Sequence, residues 1–155
     1  MAQRIFLPGD DPALRKKSRE VTVFDERLHQ LLDDMHETMT GADGVGLAAV
    51  QIGILRRVVV IDIDGRVELI NPVIVNTSEE ILTISEGCLS FPGERGLVPR
   101  PKGVTVSAQD RHGDLFTLVG EDMLARAICH EVDHLEGIVY LDKVTQMEEP
   151  EEDDE

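Results

Sequence analysis

Ala125-Arg-Ala-Ile-Cys-His-Glu-Val-Asp-His-Leu-Glu-Gly137 contains the pentapeptide His130-Glu131-Val132-Asp133-His134. On an α-helix, residues four apart lie one above the other on the same face. His130 and His134 can therefore hold one metal ion between them. Glu131 stands roughly 100° round the helix from His130, placed to reach a water beside that metal rather than the metal itself. The surrounding pattern is helical. Met123, Ala127, His130 and His134 form one stripe, with Leu124, Ile128 and Leu135 beside it, which predicts that the histidines face the interior. Gly137 is a stop signal. A helix that merely happens to carry two histidines is the plainer alternative, but burying both imidazoles without a partner is costly. The metal reading needs a third ligand from elsewhere in the chain.

The rest of the chain sets bounds on that reading. Its 155 residues are enough for one domain with a sizeable core. With no Trp, one Tyr and four Phe, that core must be aliphatic. The net charge is −16, and Glu148–Glu155 alone holds seven acids, leaving −9 for the remainder. An acidic body argues against direct nucleic-acid binding and against docking on anionic membranes. Met1–Asp10 has no long apolar stretch and no run reaches membrane-spanning length, so a cytoplasmic protein is expected. Two cysteines, Cys88 and Cys129, are too few for a disulfide framework and are read as thiols. The expected organisation is a single catalytic domain over 1–147 and an acidic, disordered tail over 148–155.

Along the chain, Asp10-Asp11-Pro12 predicts a short helix start. Phe24-Asp25 opens a stronger helix whose Leu28, Leu31, Leu32, Met35 and Met39 share a face, with Gly41 as its end. The segment Gly41–Gly53 is glycine-rich but lacks the Lys-Ser/Thr ending of a phosphate loop. Strands follow at Arg57–Ile63, at Val67–Val75 around a Pro72 that suggests an edge or a bulge, and at Ile81–Ser85. Val104–Ala108 and Leu115–Val119 flank a turn at Asp110–Asp114 and read as a hairpin. Ile138–Val144 reads as a last strand or turn. This order predicts an α+β fold, mostly antiparallel β-sheets packed around a central metal-binding helix.

Cys88 lies at a break in β pattern, between Gly87 and Leu89. As a small buried hydrophobe it would be unremarked. As a thiolate it completes a Cys-His₂ set with one tetrahedral position open, as catalytic metal sites require. The usual protease completions fail. A third histidine three residues beyond Gly137 would fall at Tyr140, and only 21 residues follow His134, most of their glutamates in the tail. A structural site closed by Cys129 stays open as an alternative, although Cys129 adjoins His130 and points off the metal face.

Three segments together carry a resemblance. Gly44-Val-Gly-Leu-Ala-Ala-Val-Gln51, Glu86-Gly-Cys-Leu-Ser90 and His130-Glu-Val-Asp-His134-Leu-Glu-Gly137 are similar, in order and spacing, to the signatures of the peptide deformylase family. The similarity spans about residues 11 to 144, with Val50 standing where the family often has proline. It implies removal of the N-formyl group from formyl-methionyl nascent peptides, releasing formate. It implies metal ligation by Cys88, His130 and His134, with Fe²⁺ as the physiological ion and Zn²⁺, Ni²⁺ or Co²⁺ as substitutes. Glu131 would act as acid and base, and the Gln51 side-chain amide and Leu89 N–H would stabilise the oxyanion. The peptide would bind as an added strand at Val45, Gly46 and Gly87, with Arg100 and Arg126 in the region of the methionine pocket; a surface arginine on a helix is the simpler reading of Arg126. Transient ribosome contact is also implied, although an acidic tail replaces the basic C-terminal helix that some members use.

Overall fold

A computed structural model describes residues 3–149. The strand Val58–Asp62 (β2) sits at its centre because both of its faces are apolar. Val58 and Val60 join one buried cluster and Val59 and Ile61 another. The first cluster is closed by helix α1 (Glu26–Gly41), the second by helix α2 (Asp122–Leu135). Helix α1 begins where Asp25 accepts a hydrogen bond from the Leu28 N–H at 3.2 Å. Its Leu28, Leu31, Leu32, Met35 and Met39 are all buried, as their spacing predicts. Each such side chain contributes about 1.5–3 kcal/mol relative to exposure.

Every pairing between strands is antiparallel. Among the described residues, one sheet orders β1 (Gly46–Ala48), β2, β3 (Arg66–Thr77), β6 (Gly103–Gln109) and β7 (Leu115–Glu121). A second joins β4 (Ile81–Cys88), β5 (Phe91–Pro101) and β8 (Gln146–Met147). The α+β expectation holds. Pro72 lies at a bulge inside β3, where the register with β6 shifts between Ile70 and Val73. There Asn71 adopts φ 52° and its side chain bonds both backbone groups of Val21.

Several elements differ from the sequence-based expectation. Phe91–Pro101 is a strand despite three prolines and two glycines, because β4 supplies its partner over Ile81–Glu86. The glycine-rich segment contains β1 and a 3₁₀ turn over Ala49–Ile52. Ile138–Val144 contains a 3₁₀ turn at Tyr140–Asp142, and the final strand comes later, at Gln146–Met147. Glu148 continues from that strand, its N–H bonded to the Arg95 carbonyl at 2.9 Å. Of the tail expected over 148–155, residues 150–155 lie outside those described.

Candidate metal centre and active site

Helix α2 ends at a glycine in the left-handed region, Gly137 with φ 76°. That helix places His130 and His134 one turn apart, with ring centroids 5.0 Å apart. Cys88, at the end of β4, meets them from the opposite sheet. One donor atom from each of Cys88, His130 and His134 lies within 4.8 Å of the others. The Cys88 Sγ is 3.4 Å from His134 Nε2. A thiol and two imidazoles form a donor set suited to a divalent transition metal. Two buried polar atoms, Glu131 Oε1 and His134 Nδ1, have no hydrogen-bond partner. An orphaned carboxylate oxygen beside three converging donors is costly unless a cation or a proton-bearing group engages it. The residues fit such a metal.

Glu86, at the wall of the cavity described below, organises the polar surroundings of the centre. Its Oε2 lies 2.6 Å from His130 Nδ1, which leaves Nε2 of that ring for the donor cluster. Arg100 grips the same carboxylate through Nε at 3.2 Å and Nη2 at 2.8 Å, and Arg126 adds a contact at 2.9 Å. Arg100 Nη1 reaches Asp133 at 2.6 Å, tying β5 back to α2, and Lys143 meets Asp133 at 2.9 Å. Arg126 also donates to the Val98 and Leu82 carbonyls. Tyr140 packs its ring 5.9 Å from that of His130 and donates its hydroxyl to the Glu94 carbonyl.

A cavity of about 660 Å³ opens above the donor cluster, lined by Gly44–Gly46, Gln51, Gly87–Leu89, Met123, His130 and Glu131 among others. Gln51 is buried, and its orientation is set from behind. Its Oε1 accepts from the Ala48 N–H at 2.9 Å, so its Nε2 faces Cys88 Sγ at 3.4 Å and Ser90 Oγ at 3.2 Å. Gly46 is required by close approach, because a Cβ there would lie 2.6 Å from Glu131 Oε2.

Burial governs the electrostatics. It raises the Glu131 carboxyl to about 7, close to neutrality. Burial alone would raise Glu86 as well, but hydrogen bonds from His130 and Arg100 outweigh it and hold that carboxyl well below the usual range. Burial opposes charging of both histidines. At His130, Glu131, Cys88 and Glu86 overcome it and the ring is raised well above its ordinary value. At His134 burial and the charge of His130 act together, and the ring is lowered well below it.

The structure brings together Cys88, His130, His134, Glu131, Gln51, Leu89, Val45, Gly46 and Gly87, all expected at the site. Arg100 is a correction. It does not line the cavity but is 2% exposed, with its donors committed to Glu86 and Asp133. Arg126 is not a surface residue, at 5% exposure, and it does line the cavity. Met123, expected to face inward, is 51% exposed and lies at the cavity. Cys129 packs into the apolar core, where burial raises its thiol pKa, and belongs to no donor cluster. The sequence reading missed the role of Glu86. Its position two residues before Cys88 on a strand was the available signal, since such residues share a face.

The sequence pattern of the polypeptide deformylase family matches residues 3–150. A peptide deformylase from Alkaliphilus metalliredigens is 53% identical over 145 residues, which span 93% of this chain and 98% of that protein. One from Acetivibrio thermocellus is 55% identical over 145 residues, 93% and 85% of the two chains. The crystal structure of peptide deformylase from Thermotoga maritima superposes with a TM-score of 0.92 at 39% identity, covering 94% of this chain and 99% of that one. A peptide deformylase from Synechococcus elongatus in complex with actinonin gives 0.90 at 40% identity, covering 92% and 79%.

Proposed function

The chain belongs to the peptide deformylase family, and from that premise we propose that Cys88, His130 and His134 hold its catalytic metal while Glu131, Gln51 and Leu89 perform the chemistry. The enzyme removes the N-formyl group from nascent peptides. The observation that carries the assignment is the meeting of three donor atoms within 4.8 Å beside a buried carboxylate whose pKa is raised to about 7.

When bound there, a divalent metal would supply Lewis acidity that lowers the pKa of water toward neutrality. Glu131 takes the proton of the attacking water and later passes it to the departing amine nitrogen. Its pKa near neutrality suits both transfers. Water adds to the formyl carbon, the C–N bond breaks, and formate leaves with the free amine. Gln51 Nε2 and the Leu89 N–H donate to the formyl oxygen as it gains charge. The Gln51 orientation is held beforehand by Ala48, so no reorganisation is needed.

Strand β1 is an edge of one sheet and β4 an edge of the other. A peptide laid between them pairs with backbone groups of Val45, Gly46 and Gly87 as an added strand. The thiolate and two imidazoles accommodate Fe²⁺ as the physiological ion, with Zn²⁺, Ni²⁺ or Co²⁺ as replacements. Residues 1–147 form one catalytic domain followed by an acidic tail. Among the described residues no helix is long and apolar enough to cross a membrane. The substrate is made on ribosomes, so the enzyme acts in the cytoplasm with transient ribosome contact.

The test is formate release from formyl-Met-Ala-Ser by anaerobically prepared protein, beside Glu131→Ala. Release by the parent and its loss in a metal-loaded variant is the expected result. Release that survives in the variant removes the acid–base role from Glu131.

A further inference from the structure

Charge is distributed unevenly along this acidic chain. Eight of its fifteen Lys and Arg residues lie within the first 57 positions, against nine of its 31 acids. Four of those cations, Arg4, Arg19, Arg27 and Arg56, line one groove of about 560 Å³ that shares no residue with the active-site cavity. Arg19 and Arg56 are direct partners in a parallel β-bridge, fixed by Arg19 N–H to Leu55 O and Arg57 N–H to Arg19 O, both 2.9 Å. Bridge partners stand about 4.8 Å apart along the backbone, so two like-charged side chains leave neighbouring backbone positions. Arg19, Arg27 and Arg56 are exposed and enter no ion pair among the described residues. Arg4 alone is tied down, to Asp34 at 3.0 Å.

We propose that this arginine groove docks the phosphate backbone of RNA. Guanidiniums that enter no ion pair can grip phosphate oxygens bidentately, and two rooted at neighbouring backbone positions can share one phosphate group. The first turn of α1, the positive end of its dipole, opens into the same groove at Arg27 and Leu28. Two acids also line it. Asp25 is occupied in capping Leu28, and Glu20 leaves the lining net positive. The large negative charge elsewhere is screened beyond about 8 Å at physiological salt, so a local patch can act against the overall sign. This departs from the expectation of no direct nucleic-acid binding, which rested on the acidic body of the chain. The inference rests on the reading that the substrate is a nascent chain, met where ribosomal RNA is exposed.

The experiment is an anisotropy titration of a fluorescein-labelled RNA stem-loop with the metal-loaded full chain between 25 and 200 mM KCl. Beside it stands the double variant Arg19→Gln/Arg56→Gln. Three phosphate contacts predict a log K against log salt slope of about −2.7, falling toward about −1 in the variant with at least a ~10-fold loss of affinity at 50 mM. Formate release from free formyl-Met-Ala-Ser is expected to stay within about twofold of the parent, since neither arginine lines the catalytic cavity. If the double variant loses its fold, Arg27→Gln, on an exposed turn, carries the same comparison. A parent that releases formate but binds no RNA at 50 mM, or variants that bind as the parent does, overturns the docking surface and leaves the deformylase reading intact. A parent that releases no formate strikes at that reading instead, whatever the RNA result.

Discussion

Glu86 Oε2 lies 2.6 Å from His130 Nδ1, and both side chains are more than nine-tenths buried. This contact orients one of the proposed metal ligands and is itself clamped by two guanidiniums, Arg100 and Arg126. Glu86→Gln keeps an oxygen for His130 but removes the charge, and it should weaken metal binding by ~10–100-fold. Glu86→Ala goes further, because it strands two buried cations, and should cost about 3–5 kcal/mol of stability. Metal affinity by competition with a chelator and unfolding by urea separate the two effects. A Gln variant that holds metal as the parent does would remove the orienting role from Glu86.

The raised pKa of Glu131 has a stability signature in the metal-free protein. Its folded value of about 7 exceeds the ordinary 4.5. Between those values the folded chain holds a proton that the unfolded chain releases, so stability falls as pH rises from 4.5 to 7 and the loss is complete above 7. Glu131→Gln abolishes that penalty. The metal-free variant should be more stable than the metal-free parent by about 1–3 kcal/mol at pH 8, and no more stable at pH 4. Thermal unfolding at the two pH values checks this, and a gain that is equal at both would refute it.

On the proposal that Gln51 Nε2 donates to charge developing only in the transition state, Gln51→Ala should lower kcat by ~10²–10³ with little change in KM. It also leaves the Ala48 N–H without its acceptor, a stability loss of about 1–3 kcal/mol. Steady-state kinetics beside a melting curve distinguishes the two. A proportionate rise in KM at constant kcat would mean that Gln51 binds ground-state substrate only.

Gly46→Ala tests close packing at the acid–base residue. The backbone of Gly46 is not in the left-handed region, so strain is not the obstacle. The added Cβ would meet Glu131 Oε2 at 2.6 Å and must push it aside. A displacement near 1 Å at a catalytic group costs ~10²-fold in rate. Metal content should be unchanged, since the atoms nearest the added Cβ all belong to Glu131. Equal activity in a metal-loaded, folded variant would show that Glu131 tolerates the shift.

The α1 stripe, the continuously apolar β2 and the α2 histidine pair were all legible in the sequence, because periodicity reports which face of an element is buried. The turn at Asp110–Asp114 and the bulge at Pro72 were legible too, since those residue types carry their own backbone geometry. Strand β5 was not. Its prolines and glycines oppose a strand on local grounds, and only pairing along β4 makes it one. Arg100 was misplaced, and the surface reading of Arg126 failed, for a related reason. An arginine reads as exposed until a buried carboxylate is found to meet it, and Glu86 lies 14 residues from the first and 40 from the second.

By itself, then, the sequence determined the helix, the identity of the donor residues and the chemistry they share, because ligand type and helical spacing are local properties of the chain. The tertiary structure alone decided that Cys88 meets the histidines, that Glu86 is held as a buried anion, and that Arg19 and Arg56 stand side by side. Those are contacts between segments far apart in sequence, and their energies depend on burial and on partners that no local pattern specifies.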